Sequence, residues 1–271
     1  MIKAHDQLAE LDVKSCLDGL AALYARAGTN GFFDGLVSFF RQFIPFEIGS
    51  IFEFQKGAQP KSLWTCQVGY DADTQVYNRG LYLLDPCFDA YENRNLTGIF
   101  HFSREDSENF INNEFYKRYW QHIGIDNEFA GLYPVGRDRC VHLSIMLSNV
   151  APDEIEKILS LLRVLETTCC TLFNLHFDIS GNSDLSEIRR RRDFHVEANG
   201  IFRNFAKDIL TPREHTVLLL FLRGYSTKSI GRQLNISPGT VSIHRSNFYE
   251  KLEVSSQGEL FALFIEKLLT N

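Results

Sequence analysis

The chain has 271 residues, of which 44% are hydrophobic and 23% charged, a composition that excludes a disordered protein and leaves room for two domains. It has no run of about 18 apolar residues that would span a membrane, no signal-sequence core and no CxxC pair among its six cysteines, so we expect a cytoplasmic protein with reduced thiols and no membrane partner. The net charge of −6 is uneven: residues 1–178 hold 15 basic and 24 acidic side chains, whereas residues 179–271 hold 13 and 10, which predicts an acidic domain joined to one that tolerates a polyanion.

Residues 1–177 mix helical and strand periodicities. Apolar residues at helical spacing predict helices over 8–24 and 32–44, and the alternating stretch FEIGSIFEF predicts a strand. Further strands are predicted in KSLWTCQV, TGIFHFS, EFAGLYPV and CVHLSIMLS, the last two joined at Gly136 and Asp138, before a long helix that starts at Pro152. We therefore expect an α+β domain in which an antiparallel sheet of about five strands is flanked by helices as an α/β/α sandwich. This layout resembles sensor domains of the PAS, GAF or autoinducer-binding kind and differs from a phosphorylation receiver, which would alternate strands and helices in a parallel sheet.

Residues 178–208 are predicted to be a linker and a connecting helix. The Gly, Ser, Asn and Asp cluster in DISGNSD is typical of a linker, and four arginines follow at 189–192. These arginines suit a solvated helix start, and next to a DNA-binding domain they could also follow a phosphate backbone.

Residues 209–271 predict a domain made of helices alone. Thr211, Pro212 and Glu214 form a capping box at the start of a first helix, and Gly224 ends it. A second short helix starts after Ser226, and a third starts at Ser237 and Pro238 after a tight turn. Two short helices joined in this way form the helix-turn-helix plan, although a plain helical bundle has similar spacing.

The third helix carries its apolar residues on one side. Val241, Phe248 and Leu252 share that face, while small residues and Ile243 point away from it. Short outward side chains allow a helix to sit deep in the major groove, where a serine hydroxyl can meet either base type and an aliphatic group can meet a thymine methyl. Arg245 and Lys251 lie on the flanks, where phosphates would be.

The pattern LTPRE, followed by ISPGTV, HR, N, KL and VSSQ over Leu210 to Leu269, resembles the C-terminal domain of LuxR-type (GerE-type) transcriptional regulators. The resemblance implies a four-helix domain that binds an operator in double-stranded DNA as a homodimer, with RNA polymerase as a further partner. Its third helix would enter the major groove, and its fourth would form much of the dimer contact through Leu260, Leu263, Phe264 and Leu268. The residues that we assign to DNA binding are Lys228, Ser237, Thr240, Ser242, Ile243, His244, Arg245, Ser246 and Lys251.

Three positions depart from the family's usual residues. Ser242 stands where Lys or Arg is common, Ser229 replaces an acid, and Gly231 replaces Ala. The family's base preference therefore does not carry over to Ser242. Gly231 costs about 1 kcal/mol relative to Ala inside a helix, a cost that closer packing of the second and third helices would offset.

The segment YNRGLYLLDPCFDAY resembles, more distantly, the aromatic and Asp-Pro pattern of autoinducer-binding domains. Tyr77 and Tyr82 fit that pattern, but Asp73 stands where the family has Trp, and Asp85 arrives one residue early. We expect an effector pocket with apolar walls and a few polar anchors. Its predicted lining is Phe54, Trp64, Tyr77, Tyr82, Asp85 and Trp120.

Other roles fit the same residues. The aromatics could be ordinary core, Asp85 could cap the helix that begins at Pro86, and the domain could bind a partner protein instead of a small molecule. No nucleophile elbow, phosphate loop or HExxH motif is present, so we expect neither an enzyme nor a cofactor. Cys140 and His142 share one strand face, and with His101 they give one alternative, a metal site.

Overall fold

The structure is a computed structural model that describes residues 12–46, 48–66, 77–103, 125–181 and 184–270. The N-terminal part is a sandwich of helices around one sheet, as predicted. Its helices are α1 (Val13–Arg26), α2 (Phe32–Phe40), a 3₁₀ helix (Leu81–Leu84), α3 (Pro86–Arg94) and α4 (Pro152–Ser180). Its strands are β1 (Ile48–Gln55), β2 (Lys61–Thr65), β3 (Gly98–Ser103), β4 (Asn127–Val135) and β5 (Arg139–Leu147).

The five strands form one antiparallel sheet in the order β2-β1-β5-β4-β3. The β4–β5 hairpin turns where the sequence predicts it, with Val135 opposite Arg139 and Gly136 at a positive φ of 61°. Both faces of the central strands are buried, because helices cover each side.

Two apolar layers cover the sheet. Helices α1, α2 and α4 pack on one face of the sheet. The buried residues between them and the sheet, such as Phe40, Ile51 and Phe173, form what we call the first layer. The 3₁₀ helix and α3 bury the other face, and this second layer continues into the C-terminal helices. The second layer therefore joins the two halves of the described chain.

Helix α4 begins at Pro152, with Asp153 and Glu154 in its first turn as expected for a helix N-terminus. It is long and apolar enough by length and composition to cross a membrane, and it is the one described helix that meets this test. Its buried side chains, among them Leu162 and Phe173, pack in the first layer, as in the core helix of a globular domain.

The linker region contains less irregular chain than its composition suggests. Helix α4 extends to Ser180, past the predicted start of the linker at 178, and α5 (Leu185–Asn204) follows. Of the four arginines, Arg191 is buried, with Nη1 2.9 Å from Glu53 Oε1 and Nε donating to the Gln59 carbonyl at 2.7 Å. The other three are not buried. Arg191 thus anchors α5 to the sheet.

The C-terminal part consists of α6 (Pro212–Leu222), α7 (Thr227–Leu234), α8 (Pro238–Lys251) and α9 (Gln257–Leu269). This four-helix arrangement confirms the predicted all-α domain. Its core contains Val217, Phe221, Phe248 and Phe264. All six cysteines are free thiols, and five of them are buried.

Candidate nucleic-acid interface and effector site

The first helix of the C-terminal domain has the capping box predicted from its sequence. The Glu214 N–H donates to Thr211 Oγ1 at 3.4 Å, and the Thr211 N–H donates to Glu214 Oε2 at 2.9 Å. Pro212 occupies the first turn, and Gly224 follows the helix at φ +84°. These contacts fix both ends of α6.

The turn between α7 and α8 is equally well defined. Ser226 caps α7 by accepting from the Ser229 N–H at 3.1 Å, and Asn235 ends the helix in the left-handed conformation at φ +53°. Ser237 then caps α8 by accepting from the Thr240 N–H at 3.0 Å. The two helices are therefore held at a set angle, with the N-terminus of α8 exposed.

Gly231 makes this turn possible. A Cβ placed on it would lie 2.8 Å from the carbonyl oxygen of Ile236, closer than real Cβ contacts allow. The Ile236 N–H also donates to the Gly231 carbonyl at 2.9 Å. The backbones of α7 and the turn thus approach too closely for a side chain at this position.

The outer face of α8 is exposed and lightly charged. Ile243 is 62% exposed, Arg245 and Ser246 are exposed, and Ser242 is partly exposed. The Ser242 hydroxyl donates to the Pro238 carbonyl at 3.2 Å, and the Ser246 hydroxyl donates to the Ser242 carbonyl at 3.2 Å. Each hydroxyl oxygen retains acceptor capacity toward an external donor. Val241 and Phe248 are buried on the opposite face.

Several of the predicted DNA-binding residues lie beside one open groove. Lys228, Arg245 and Ser246 line a groove of about 620 Å³ that is bordered by Tyr249 and Ser256. The structure thus places two cationic side chains next to the outer face of α8.

The remaining predicted residues of α8 have different surroundings. Ser237 and Thr240 share a hydroxyl–hydroxyl bond of 2.8 Å at the start of the helix. His244 is partly buried, and its Nδ1 is enclosed with no hydrogen-bond partner in the part of the chain that the structure describes.

Lys251, which we predict to contact DNA, forms an ion pair within the domain. Its Nζ is 2.6 Å from Glu214 Oε2, so its charge is engaged at the N-terminus of α6. This contact, together with the Thr211 N–H, lowers the pKa of Glu214 to about 2. The ammonium of Lys251 thus ties α8 to α6, and its role in DNA binding stays a prediction.

Four of the six predicted pocket residues come together in the second layer of the N-terminal domain. Phe54, Tyr77, Tyr82 and Asp85 are all buried there. The Tyr77 and Tyr82 ring centroids are 6.2 Å apart, and the Tyr82 hydroxyl lies 3.2 Å from Nδ1 of His195 on α5.

Asp85 is fully engaged by neighbours. Its Oδ2 accepts from the Tyr77 hydroxyl at 2.7 Å, and its Oδ1 accepts from the N–H groups of Cys87 and Phe88 at 2.7 and 3.4 Å. The capping role left open by the sequence is thus the one that Asp85 plays here. Burial raises the pKa of Asp85 to about 6 despite these hydrogen bonds.

Trp64 does not join this group. Trp64 lies in the first layer, on the opposite face of the sheet, where its Nε1 donates to Asp34 at 3.0 Å and the Arg41 guanidinium lies 5.8 Å from its ring centroid. The prediction that Trp64 lines the pocket was wrong, because Trp64 and the four pocket residues lie on opposite faces of the sheet. Trp120 lies outside the described residues.

Three buried polar residues that the predicted pocket did not include face the same layer as the four pocket residues. The Ser144 hydroxyl donates to Glu128 Oε1 at 2.5 Å, and His142 stacks on Phe54 with centroids 5.0 Å apart. Among the described residues neither ring nitrogen of His142 has a hydrogen-bond partner, although its Nε2 lies 3.9 Å from Glu128 Oε1, and burial lowers the pKa of His142 to about 3. Polar residues at 128, 142 and 144 interrupt otherwise apolar strands, and this signal could have identified them.

The alternative metal site does not assemble. His101 stacks on Phe129 in the first layer, away from Cys140 and His142 in the second layer. Across the described ranges, no cluster of three His, Cys, Asp or Glu side chains is arranged to hold a metal ion.

Comparisons with known proteins fit these two parts separately. Residues 208–264 match the family model GerE, described as bacterial regulatory proteins of the luxR family. A helix-turn-helix transcriptional regulator from the exeN 3′ region of Aeromonas salmonicida is 46% identical over 63 residues, which are 23% of this chain and 32% of that protein. The transcriptional regulatory protein UhpA of Escherichia coli K12 is 44% identical over 54 residues, which are 20% of this chain and 28% of UhpA. The chain thus spans about a third of these relatives.

The N-terminal domain has a structural neighbour of its own. The LBD domain of VqsR from Pseudomonas aeruginosa superimposes with a TM-score of 0.50 and 23% identity, covering 61% of this chain and 98% of that domain. At this identity the similarity concerns the fold. The capped α6, the glycine-dependent α7–α8 turn and the family match lead to one conclusion. The C-terminal domain of this chain is a helix-turn-helix domain of the luxR family.

Proposed function

We propose that the chain is a cytoplasmic transcriptional regulator that binds operator DNA as a homodimer and responds to a small molecule. The observation that carries the DNA-binding part is the outer face of α8, which presents Ser242, Ile243 and Ser246 on a helix whose N-terminus is exposed. A face of short side chains allows close approach to base edges in the major groove. Lys228 and Arg245 border that face, where they would contact phosphates.

The sensing part rests on the second layer of the N-terminal domain. Tyr77, Asp85, His142 and Ser144 place polar groups inside an otherwise apolar layer. Ligand sites are commonly apolar with a few polar groups that fix orientation. The neighbouring VqsR domain, whose name describes it as an LBD, supports the proposal at the level of the fold.

A second candidate is a ligand-independent regulator whose N-terminal domain binds a protein. The exposed apolar side chains Val13, Leu17 and Tyr24 on α1 favour this alternative. Native mass spectrometry of the purified full chain separates the two candidates. A bound small molecule supports sensing, and a mass equal to the bare chain, together with a co-purified protein, supports the alternative.

DNA binding is tested by selecting duplexes from a random-sequence library with the full chain. We expect one enriched sequence with two half-sites, and we expect Ile243→Glu to abolish enrichment because it places a negative charge in the groove. Val164→Glu is the matched control, since Val164 is also an exposed apolar residue on a helix but lies on α4. The proposal is wrong if no duplex is enriched or if both variants behave like the wild-type chain.

A further inference from the structure

The N-terminal and C-terminal domains are joined by a buried acidic side chain. Asp89 on α3 is 5% exposed, and its Oδ2 accepts from the Tyr225 hydroxyl at 2.7 Å. Arg223 Nε lies 3.7 Å from Asp89 Oδ1. Asn93 and Arg94, on the same helix as Asp89, also contact this carboxylate, at 2.8 and 3.4 Å. One carboxylate is therefore shared by α3 and by the segment between α6 and α7.

A second contact lies at the end of α9. Leu268 packs so closely against Gly80 that a Cβ on Gly80 would lie 2.8 Å from Leu268 Cδ1. Gly80 has a φ of +122°, a backbone conformation that favours glycine. Leu268 is buried by this packing. It is also one of the side chains through which the family resemblance implies dimer contact.

The docked arrangement opposes DNA binding for two physical reasons. It holds the acidic N-terminal part against the C-terminal part, and because residues 1–178 carry a net charge of −9 and residues 179–271 one of +3, this weakens the attraction of the C-terminal part for a polyanion. It also occupies Leu268, while Ile243 on α8 remains exposed. Docking thus leaves the outer face of α8 open and restricts how two C-terminal domains can pair.

Helix α3 connects this contact to the candidate effector site. Asp85 caps the helix, and Asp89 lies one turn later, with its N–H donating to the Asp85 carbonyl at 2.9 Å. Lys56 Nζ donates to the carbonyls of Tyr91 and Glu92 at the other end of the helix. A helix held at both ends moves as a unit, so a shift at Asp85 is transmitted to Asp89.

We propose that Asp89, Arg223 and Tyr225 form an interdomain clamp that holds the C-terminal domain in a docked state of low DNA affinity. The clamp opens when an effector displaces α3. This inference rests on the proposed function, because it assigns the regulation of the same DNA-binding face.

The test compares full-length Tyr225→Phe and Asp89→Asn with the wild-type chain. Tyr225→Phe removes one hydroxyl and retains the ring, and Tyr24→Phe on the exposed surface of α1 is the matched control. We expect each clamp variant to bind the duplex enriched by the wild-type chain roughly 5- to 150-fold more tightly, the usual range of allosteric coupling. We expect the double variant to gain less than the product of the two single gains, because both substitutions open the same contact.

Hydrogen exchange provides a readout that does not need DNA. Amides of 223–226 and 257–269 exchange faster in the clamp variants, while those of β4 and β5 remain as protected as in the wild-type chain. Faster exchange in β4 and β5 as well, or unchanged exchange and affinity, overturns the clamp. Weaker DNA binding by both variants also overturns it, because the contact would then support the DNA-competent state. If no chain enriches a duplex, the proposed function fails, and the exchange data still decide whether the clamp exists.

Discussion

Lys251 Nζ lies 2.6 Å from Glu214 Oε2, which joins the C-terminus of α8 to the N-terminus of α6. The same carboxylate accepts from the Thr211 N–H, so one side chain closes the first turn of α6 and fixes the end of α8. A charge that the sequence suggests for DNA binding is therefore used to orient α8, the helix that we propose to contact DNA.

Lys251→Met tests this role. We expect it to lower the free energy of unfolding of the C-terminal domain by about 1 kcal/mol, because it removes a charge-assisted bond that is partly exposed. Urea denaturation measures the loss. The slope of log DNA affinity against log salt concentration should be unchanged. A slope smaller by about one unit, which corresponds to one lost phosphate contact, would show instead that Lys251 binds DNA.

Gly231→Ala should destabilise the domain although Ala favours helices. The added Cβ would lie 2.8 Å from a backbone oxygen, and such overpacking costs about 1–3 kcal/mol. Gly200→Ala in α5 is the matched control, since nothing lies within 4 Å of the position that its Cβ would take, and it should stabilise by up to about 1 kcal/mol. Thermal melting of both variants measures the change in Tm. Equal changes in Tm for Gly231→Ala and Gly200→Ala would contradict the prediction.

Asp85→Asn should remove a pH dependence. Because the folded pKa is about 6 and the unfolded pKa is near 4, the folded chain binds the extra proton between these values, and stability falls as the pH rises through this interval. Asn can still cap α3 but does not titrate. Between pH 4 and pH 7 the free energy of unfolding of the wild-type chain should fall by about 3 kcal/mol relative to that of the variant. Denaturation at pH 4, 5, 6 and 7 measures this difference. Parallel profiles would contradict this, because they would mean that Asp85 has the same pKa in the folded and the unfolded chain.

His142→Leu should stabilise the chain by about 1–3 kcal/mol, because it removes two buried ring nitrogens that form no hydrogen bond within the described ranges. The variant should also tolerate acid better: the folded pKa near 3 means that the stability of the wild-type chain is lost as the pH falls below the unfolded value near 6.5. His101→Leu is the control and should destabilise, since His101 Nε2 bonds Asn127 Oδ1 at 2.8 Å. Destabilisation by His142→Leu would contradict the account.

The local signals in the sequence predict much of the C-terminal domain. The caps at Thr211, Ser226 and Ser237 and the turn at Gly231 depend on residues within a few positions of one another, so sequence spacing specifies them. The antiparallel sheet follows from strand alternation for the same reason.

Contacts between residues that are far apart along the chain could not be predicted from local sequence spacing. Trp64 faces the first layer because the β1–β2 ladder shifts register between Ile51 and Phe52, and a shift of one residue reverses the face of a side chain. The partners of Arg191, Lys251 and Asp89 lie 138, 37 and 136 residues away along the chain. Such contacts depend on how the elements pack.

The most direct test of DNA reading by α8 is the salt dependence of DNA affinity for Ser242→Lys, compared with Ser160→Lys on the exposed surface of α4. Both variants add the same charge, but only the first adds it to the proposed interface. We predict that Ser242→Lys binds a duplex more tightly and that its plot of log affinity against log salt concentration is steeper by about one contact, while Ser160→Lys matches the wild-type chain. An unchanged slope for Ser242→Lys would mean that this face of α8 does not meet DNA.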